Sequence, residues 1–329
     1  MSGDAGQART GARRPRVYVS APLPGDAVAR LAAFADVVVG EAEGIRDAAF
    51  AFDGWDAIVS LLTDRIDESI VASQPRLRVV ANVAVGVDNV DIAACRARGI
   101  VVTNTPGVLT EATADLAFGL LLSAARRICE GDRIVRRGEF GGWSPTMLLG
   151  SRVNGMTLGI VGLGRIGQAV ARRARGFGMH VLYAQRTRLE EPLERALGAR
   201  FVSLDALFEE SDAVTIHCPL TPETRHLASA ARLARMKPGA VLVNTARGAC
   251  VDEAALAEAL SRGSLAAAGL DVFEDEPRVH PALLARDDVI LAPHIGSADT
   301  PTREAMARIA IDNVIAVLAG EPPLTPVFA

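Results

Sequence analysis

Three places in the second half of the chain end an apolar run with a residue type able to do chemistry. The run at 240–245 is followed by Ala246, Arg247 and Gly248. After 267–269 the chain reads Leu270-Asp271-Val272-Phe273-Glu274-Asp275-Glu276-Pro277, and after 289–292 it reads Pro293-His294-Ile295-Gly296. If each run is a parallel strand of an open α/β sheet, these residues follow its carboxyl end, where such sheets bind ligands. An arginine, a carboxylate and a histidine then converge on one rim. Reduction of a 2-oxo acid needs those parts: a cation for the carboxylate, a proton donor, and an acid that orients and charges the donor. Spacing alone does not choose among Glu274, Asp275 and Glu276, which also suit a solvated loop.

A second constellation precedes this one. TLGIVGLGRIGQAVARRA contains Gly162-x-Gly164-x-x-Gly167 between an apolar strand and an amphipathic helix, with another strand at 180–185. That context turns a weak glycine pattern into a dinucleotide-binding loop, where backbone N–H groups meet a pyrophosphate at a helix N-terminus. An NAD site usually closes the second strand with Asp or Glu, to bind the ribose hydroxyls. Here it closes with Gln185-Arg186-Thr187-Arg188. A carboxylate would repel a 2′-phosphate and an arginine can hold it bidentately, so NADP is expected over NAD. Of the five histidines, His180, His226 and His280 read as surface or loop residues. His217 reads as a companion of the cofactor pocket rather than the proton donor.

The elements that must position these residues fit a chain of 329 residues, long enough for two ordinary domains. Half the residues are hydrophobic, which supplies sizeable cores. A net charge of -4 is no footprint for a polyanion and argues against nucleic-acid binding. Cys95, Cys129, Cys218 and Cys250 are far apart, form no CxxC pair, and read as reduced, buried small residues rather than disulfides or a metal site. The most apolar stretch, 112–125, is too short for a membrane span and contains Asp115. The first sixteen residues lack a secretory core. A transit peptide stays open, but Asp4 and the short length favour a flexible tail over 1–15 on a cytoplasmic protein.

Short Val- and Ile-rich runs at 16–20, 36–40, 57–61, 78–83 and 100–103 read as strands, with helices such as 24–33 and 90–98 between them. A second series lies at 157–161, 180–185, 200–204, 213–218, 240–245, 267–272 and 289–293, with helices such as 166–176 and 253–261. The alternation implies an α/β fold of two doubly wound, Rossmann-like domains, one flavodoxin-like and one an inserted dinucleotide-binding domain. The helix that Thr110 can cap is apolar on nearly every side, so it should be buried between domains or subunits. A last helix with Thr300 as cap and Pro301 in its first turn should return to the first domain. The expected division is 16–108 with 296–329 against 109–295.

The chain resembles the D-isomer-specific 2-hydroxyacid dehydrogenases, most nearly their glyoxylate/hydroxypyruvate reductases. The matching segments are NVAVGVDNVD (82–91), NTPGVLTEATADLAFGLLLSAARR (104–127), GIVGLGRIG (159–167), HCPLTPET (217–224), NTARGACVDEAAL (244–256), GLDVFEDEP (269–277) and APHIGS (292–297). They run in family order over almost the whole chain. The resemblance implies a substrate cleft between two domains, a homodimer, and a nicotinamide cofactor. Carried over residue by residue, Arg247 binds the substrate carboxylate and polarises its carbonyl, and His294 is the general acid. Glu276 pairs with His294, orients its ring and favours its protonated form. Ala84, Val85 and Gly86 supply backbone donors to the substrate, and Trp143 is either an aromatic near the substrate or a packing residue.

For the cofactor, the loop Gly162, Leu163, Gly164, Arg165, Ile166 and Gly167 meets the pyrophosphate, and Arg186 with Thr187 holds the adenosine end. Thr110, Cys218, Pro219, Thr245, Asp271 and Gly296 line the nicotinamide side. The chain stops at Ala329, without the regulatory extension of many phosphoglycerate dehydrogenases, and the Ala84–Gly86 loop has no cation for a substrate phosphate. A small, singly charged oxo acid follows, glyoxylate or hydroxypyruvate first and 2-ketogluconate next. A non-catalytic, nucleotide-sensing corepressor of the same fold is the alternative from another class.

Overall fold

The computed structural model describes residues 13–41, 45 and 54–328. In chain order the elements begin β1 (Arg16–Val19), α1 (Ala27–Phe34), β2 (Asp36–Val39), β3 (Ala57–Ser60), α2 (Glu68–Ser73), β4 (Val79–Asn82), α3 (Ile92–Ala97) and β5 (Val101–Thr103). Then come α4 (Thr110–Ala125), α5 (Ile128–Arg136), β6 (Thr157–Val161), α6 (Arg165–Gly176), β7 (His180–Ala184), α7 (Glu191–Leu197), β8 (Ala199–Phe201) and α8 (Leu204–Glu210). The remainder is β9 (Ala213–Ile216), α9 (Ala230–Leu233), β10 (Ala240–Asn244), α10 (Glu253–Ser261), β11 (Leu265–Leu270), α11 (Pro281–Leu284), β12 (Val289–Leu291) and α12 (Thr300–Ala319).

Two compact units result, one of Met1–Val108 with Thr300–Ala329 and one of Leu109–Asp299. The second crossing falls at 299/300 rather than the expected 295/296. The reason is local: the Asp271 carboxylate accepts Ile295 N at 2.7 Å and Gly296 N at 2.8 Å, which ties both residues to the second unit.

The first unit is a parallel sheet of order β2-β1-β3-β4-β5. β3 and β4 are buried at every residue, as strands covered on both faces must be. α12 packs on β3, β4, β5 and α1 through Ile311, Val314 and Leu318, and Arg78 donates to its last carbonyls, Val317 O and Leu318 O. Of the expected tail, 1–12 lies outside the described residues. Arg13 pairs with Asp56 at 2.9 Å and Arg14 donates to Ala32 O at 2.6 Å, so 13–15 is attached to the unit.

The second unit is a seven-stranded parallel sheet of order β12-β11-β10-β9-β6-β7-β8. α6 lies close on it because its inner face is Gly167, Ala169, Val170, Ala171 and Ala174. α4 buries its apolar face against α6, β10 and β11 of this unit. A side chain at Gly269 of β11 would begin 2.9 Å from Leu120 Cβ, so the glycine sets that approach. Thr110 is the first helical residue of α4 and does not cap it; Leu109 holds that position without a side-chain bond. Thr300 likewise opens α12 from within. The strand expected at 200–204 is Ala199–Phe201, because Ser203 accepts Ala206 N and starts α8 instead. Among the described residues no helix is long and apolar enough to cross a membrane.

Candidate active site

β9, β10, β11 and β12 are adjacent and parallel, so the segments that follow them share one edge of the sheet. The geometry there is built mostly from backbone. His294 stands at φ 53°, in the left-handed region, and its N–H donates to Asp271 O at 2.8 Å. Thr113 Oγ1 donates to Gly296 O at 2.9 Å, closing the turn that carries the histidine. Burial pushes the Asp271 carboxyl up, with the N–H groups of Ile295 and Gly296 opposing it.

The histidine ring meets a carboxylate. His294 Nδ1 lies 2.9 Å from Glu276 Oε2, and Glu276 Oε1 accepts Phe273 N at 2.9 Å. Burial alone would raise the Glu276 carboxyl. The bonds from His294 and Phe273, with the charge of Arg247, outweigh it and hold the group below the usual range. An ionised Glu276 accepts, so Nδ1 carries the hydrogen and Nε2 is left for a reacting oxygen.

Arg247 opens the short turn Gly248–Cys250, with its carbonyl accepting Asn244 Nδ2 at 2.8 Å and its Nη1 donating to Ala246 O at 2.8 Å. This turn packs backbone to backbone on the acid loop. A Cβ at Gly248 would sit 1.8 Å from Phe273 C and 2.4 Å from Glu274 N. Arg247, Glu276 and His294 are thereby brought together by three loops that are distant in sequence.

The three neighbouring acids separate by partner. Glu274 Oε1 accepts Arg225 Nη2 at 2.9 Å and His226 Nε2 at 2.6 Å, Asp275 pairs with Arg278, and only Glu276 meets His294. His226 lies in a loop, as expected, but is tied down there: it stands at φ 49°, and its N–H donates to Ala249 O at 2.8 Å. Sequence reasoning also missed Glu253. Its buried carboxylate accepts Glu274 N at 2.8 Å and His280 N at 3.3 Å, bracketing the acid loop from both ends. A buried acid in the first turn of α10, next to the cap Asp252, is no signal in sequence, since first-turn acids are common.

Each glycine of the loop Gly162-x-Gly164-x-x-Gly167 has its own reason. Gly162 has φ 90° and approaches Cys218 N; Gly167 approaches Gly162 O, where a Cβ would come within 2.2 Å. Gly164 is the N-cap of α6 and has open space where a side chain would be. Leu163 N donates to Gln185 Oε1 at 2.9 Å, so the residue standing where an acid was sought ties the loop to the end of β7. Of the two arginines there, Arg188 is committed to buried Glu194 at 2.7 Å, which leaves Arg186 and Thr187 at the exposed end of β7.

His217 Nε2 meets Thr215 Oγ1 at 2.8 Å, and burial drives its pKa down to about 3, so the ring is neutral. Its Nδ1 and the Thr245 hydroxyl are buried without a partner among the described residues. Two orphaned polar atoms, an open glycine and the N–H groups of the α6 first turn suit a polar, phosphate-bearing dinucleotide. Cys218 is half-buried; the Cys250 thiol beside it, together with burial, pushes its thiol up and keeps it neutral. Cys129 is half-buried too, whereas burial was expected for all four cysteines. Pro219 is exposed, and its carbonyl accepts Thr224 Oγ1 at 2.7 Å. Trp143 is 80% exposed, so it is no packing residue of the described chain. Ala84, Val85 and Gly86 lie in the first unit, after β4.

Residues 118–296 match the family model for the D-isomer-specific 2-hydroxyacid dehydrogenase NAD-binding domain. The chain belongs to that family. It is 46% identical to a glyoxylate reductase of Thermococcus litoralis over 94% of this chain and 96% of that one. It is 53% identical to a glyoxylate reductase of Pyrococcus horikoshii over 82% of each. Among solved structures it resembles an NADPH-dependent glyoxylate/hydroxypyruvate reductase of Sinorhizobium meliloti in complex with NADP and malonate. There the TM-score is 0.85 and the identity 38%, over 95% of this chain and 97% of that one. This D-2-hydroxyacid dehydrogenase thus joins two sheets of parallel strands, the second bearing a nicotinamide dinucleotide site and an Arg–Glu–His rim.

Proposed function

We propose that this dehydrogenase reduces a small 2-oxo acid, glyoxylate or hydroxypyruvate, to the D-2-hydroxy acid, with NADPH preferred over NADH. The observation that carries the reaction is the His294 Nδ1–Glu276 Oε2 bond of 2.9 Å beside Arg247. When bound, the dinucleotide supplies the hydride. Its pyrophosphate would be held by N–H groups at Gly164, Arg165 and Ile166, and a 2′-phosphate by Arg186 and Thr187. Thr110, Cys218, Pro219, Thr245, Asp271 and Gly296 would surround the nicotinamide side.

Within that frame the protein's own residues do four things. Arg247 binds the substrate carboxylate and draws charge toward the carbonyl oxygen. His294 gives its Nε2 proton to the forming alkoxide. Glu276 stabilises the imidazolium and fixes its ring. The turn Ala84–Gly86 presents backbone N–H groups to the carboxylate. In the reverse direction His294 takes the proton back.

The chain is proposed to work as a homodimer. Ile128, Val135, Phe140, Trp143, Met147 and Leu149 expose apolar side chains within one short segment, more than single surface hydrophobes account for. A second copy would cover them. Size-exclusion chromatography with light scattering tests this, and a monomer at micromolar concentration would end it.

The test of the function is absorbance at the nicotinamide band, with NADPH or NADH against glyoxylate, hydroxypyruvate, 2-ketogluconate, pyruvate and phosphohydroxypyruvate in turn. Rapid NADPH oxidation with either of the first two is expected. Preference for NADH removes the Arg186 argument alone; activity only with 2-ketogluconate moves the substrate. No oxidation with any of them removes the enzymatic reading.

A further inference from the structure

A loop that receives a carboxylate on its N–H groups must first turn its carbonyls away, because a carbonyl oxygen repels the anion. The turn after β4 does this at three consecutive residues. Ala84 O accepts Thr105 N at 2.9 Å, Val85 O accepts Asn104 Nδ2 at 2.8 Å, and Gly86 O accepts Asn82 Nδ2 at 2.9 Å. Among the described residues, the N–H groups of 84, 85 and 86 have no acceptor.

Asn82 is locked by its surroundings: it is fully buried, accepts Ser60 Oγ at 3.0 Å, and donates to Asn89 Oδ1 at 3.0 Å. Asn104 is half-buried and is held from elsewhere, by the segment that follows α12. Thr325 Oγ1 donates to Asn104 O at 2.6 Å, and Asn104 N donates to Thr325 O at 3.3 Å. That segment runs antiparallel to β5, with Thr103 paired to Pro326 and Val327 N donating to Val102 O at 2.9 Å.

Asn313, fully buried on α12, fixes the segment in turn. Its Oδ1 accepts Leu324 N at 2.9 Å and Thr325 N at 3.0 Å, and its Nδ2 donates to Thr325 Oγ1 at 2.8 Å. The Thr325 hydroxyl therefore accepts from one asparagine and donates to the other. Among the described residues it is the one side chain that bonds both Asn313 of α12 and Asn104, the residue that aims the Val85 carbonyl.

We infer that Thr325, held by Asn313, is a positioning residue for the substrate carboxylate: it steadies Asn104, which turns the Val85 carbonyl away and keeps the N–H groups of 85 and 86 presented to the anion. This rests on the reading that the Ala84–Gly86 turn binds that carboxylate. The physical effect is on the fraction of molecules whose turn is competent, and apparent affinity scales with that fraction. Loss of the hydroxyl leaves Asn104 O and Asn313 Nδ2 each short of a partner, so the competent fraction falls while the chemistry of a bound substrate is untouched.

The experiment compares Thr325→Val, Thr325→Ser and Asn104→Ala, with glyoxylate as the oxo acid, or whichever acid the wild type reduces. It is accompanied by NADPH binding measured through protein fluorescence and by thermal unfolding. Thr325→Val should raise KM roughly five- to twentyfold, with kcat changed less than about twofold. NADPH affinity should stay within about twofold, and Thr325→Ser should return KM to near the wild-type value. Should the valine variant not fold, Thr325→Ala, which keeps the backbone bonds, is judged by the same values.

An unchanged KM in a folded Thr325→Val or Thr325→Ala protein, with KM raised in Asn104→Ala, overturns the inference and leaves the carboxylate turn standing. An unchanged KM in Asn104→Ala as well overturns both. Equal losses of kcat, KM and NADPH affinity that serine does not restore mean a purely structural residue, and also overturn it.

Discussion

Gly248→Ala is the sharpest probe of how the reactive groups are held. A methyl there would start 1.8 Å from Phe273 C, 1.9 Å from its oxygen and 2.4 Å from Glu274 N. Carbon contacts are comfortable at about 3.5–4.0 Å, and the obstacle is backbone, so the loop must retreat by more than about 1.5 Å. Phe273 N holds Glu276 Oε1, and Glu276 Oε2 holds His294, each at 2.9 Å, so the retreat reaches the proton donor in two steps. A misplacement of about 1 Å costs about 10²-fold in rate. Glu253 holds Glu274 N at 2.8 Å and resists that retreat, so part of the clash becomes lost stability, about 1–3 kcal/mol for overpacking. That corresponds to a fall in Tm of about 3–10 °C. Kinetics, NADPH binding and thermal unfolding are measured on the same preparation. The expected result is kcat down about 10²-fold with NADPH affinity within about threefold, since the Gly162–Gly167 loop is untouched. A folded variant with kcat within about threefold of wild type would refute the coupling, as would a loss of NADPH binding equal to the loss of rate.

Other substitutions address the remaining parts. His294→Ala should lower kcat by about 10²–10⁴-fold, the range for a general acid, and unchanged turnover removes the assignment. Arg186→Ala should cut the NADPH-to-NADH ratio of kcat/KM by about ten- to a hundredfold, the loss of one charged hydrogen-bonded contact. An unaltered ratio means that Arg186 does not read the 2′-phosphate. Asp56→Asn tests the first unit by pH. Burial alone would raise the Asp56 carboxyl, but Arg16 N–H, Arg76 and Arg13 hold it below the usual carboxylate range. Its stabilisation is therefore present above that range and lost as pH falls through the depressed folded value. The Tm gap between wild type and variant should be widest at neutral pH and close in strong acid; a gap independent of pH contradicts the ion cluster.

Much of this protein is written locally. Parallel strands covered on both faces must be short apolar runs, so β6, β7 and β10 are legible within a residue of their ends. The glycine loop declares itself because a strand, three glycines and an amphipathic helix occur in sequence order. Arg247 and His294 were found by the same means, as residues a few positions past a strand end. What failed locally were boundaries set by one side chain, as where Ser203 starts α8 and shortens β8.

Tertiary structure alone decided the pairings. Glu274, Asp275 and Glu276 are equivalent on paper; Asp275 takes Arg278 from its own loop, and only the meeting of the loops after β9, β11 and β12 gives Glu274 to Arg225 with His226 and Glu276 to His294. That Arg188 is committed to Glu194 likewise shows only in the folded chain. Glu253, His226 and Thr325 carry no mark in sequence, because their partners lie tens or hundreds of residues away. Hydrophobic pattern and turn chemistry fix where an element starts and which face it buries, since both depend on neighbours in the chain. Which hydrogen bond a polar side chain makes depends on the loops that parallel register brings beside it, and that exists only once the sheets have formed.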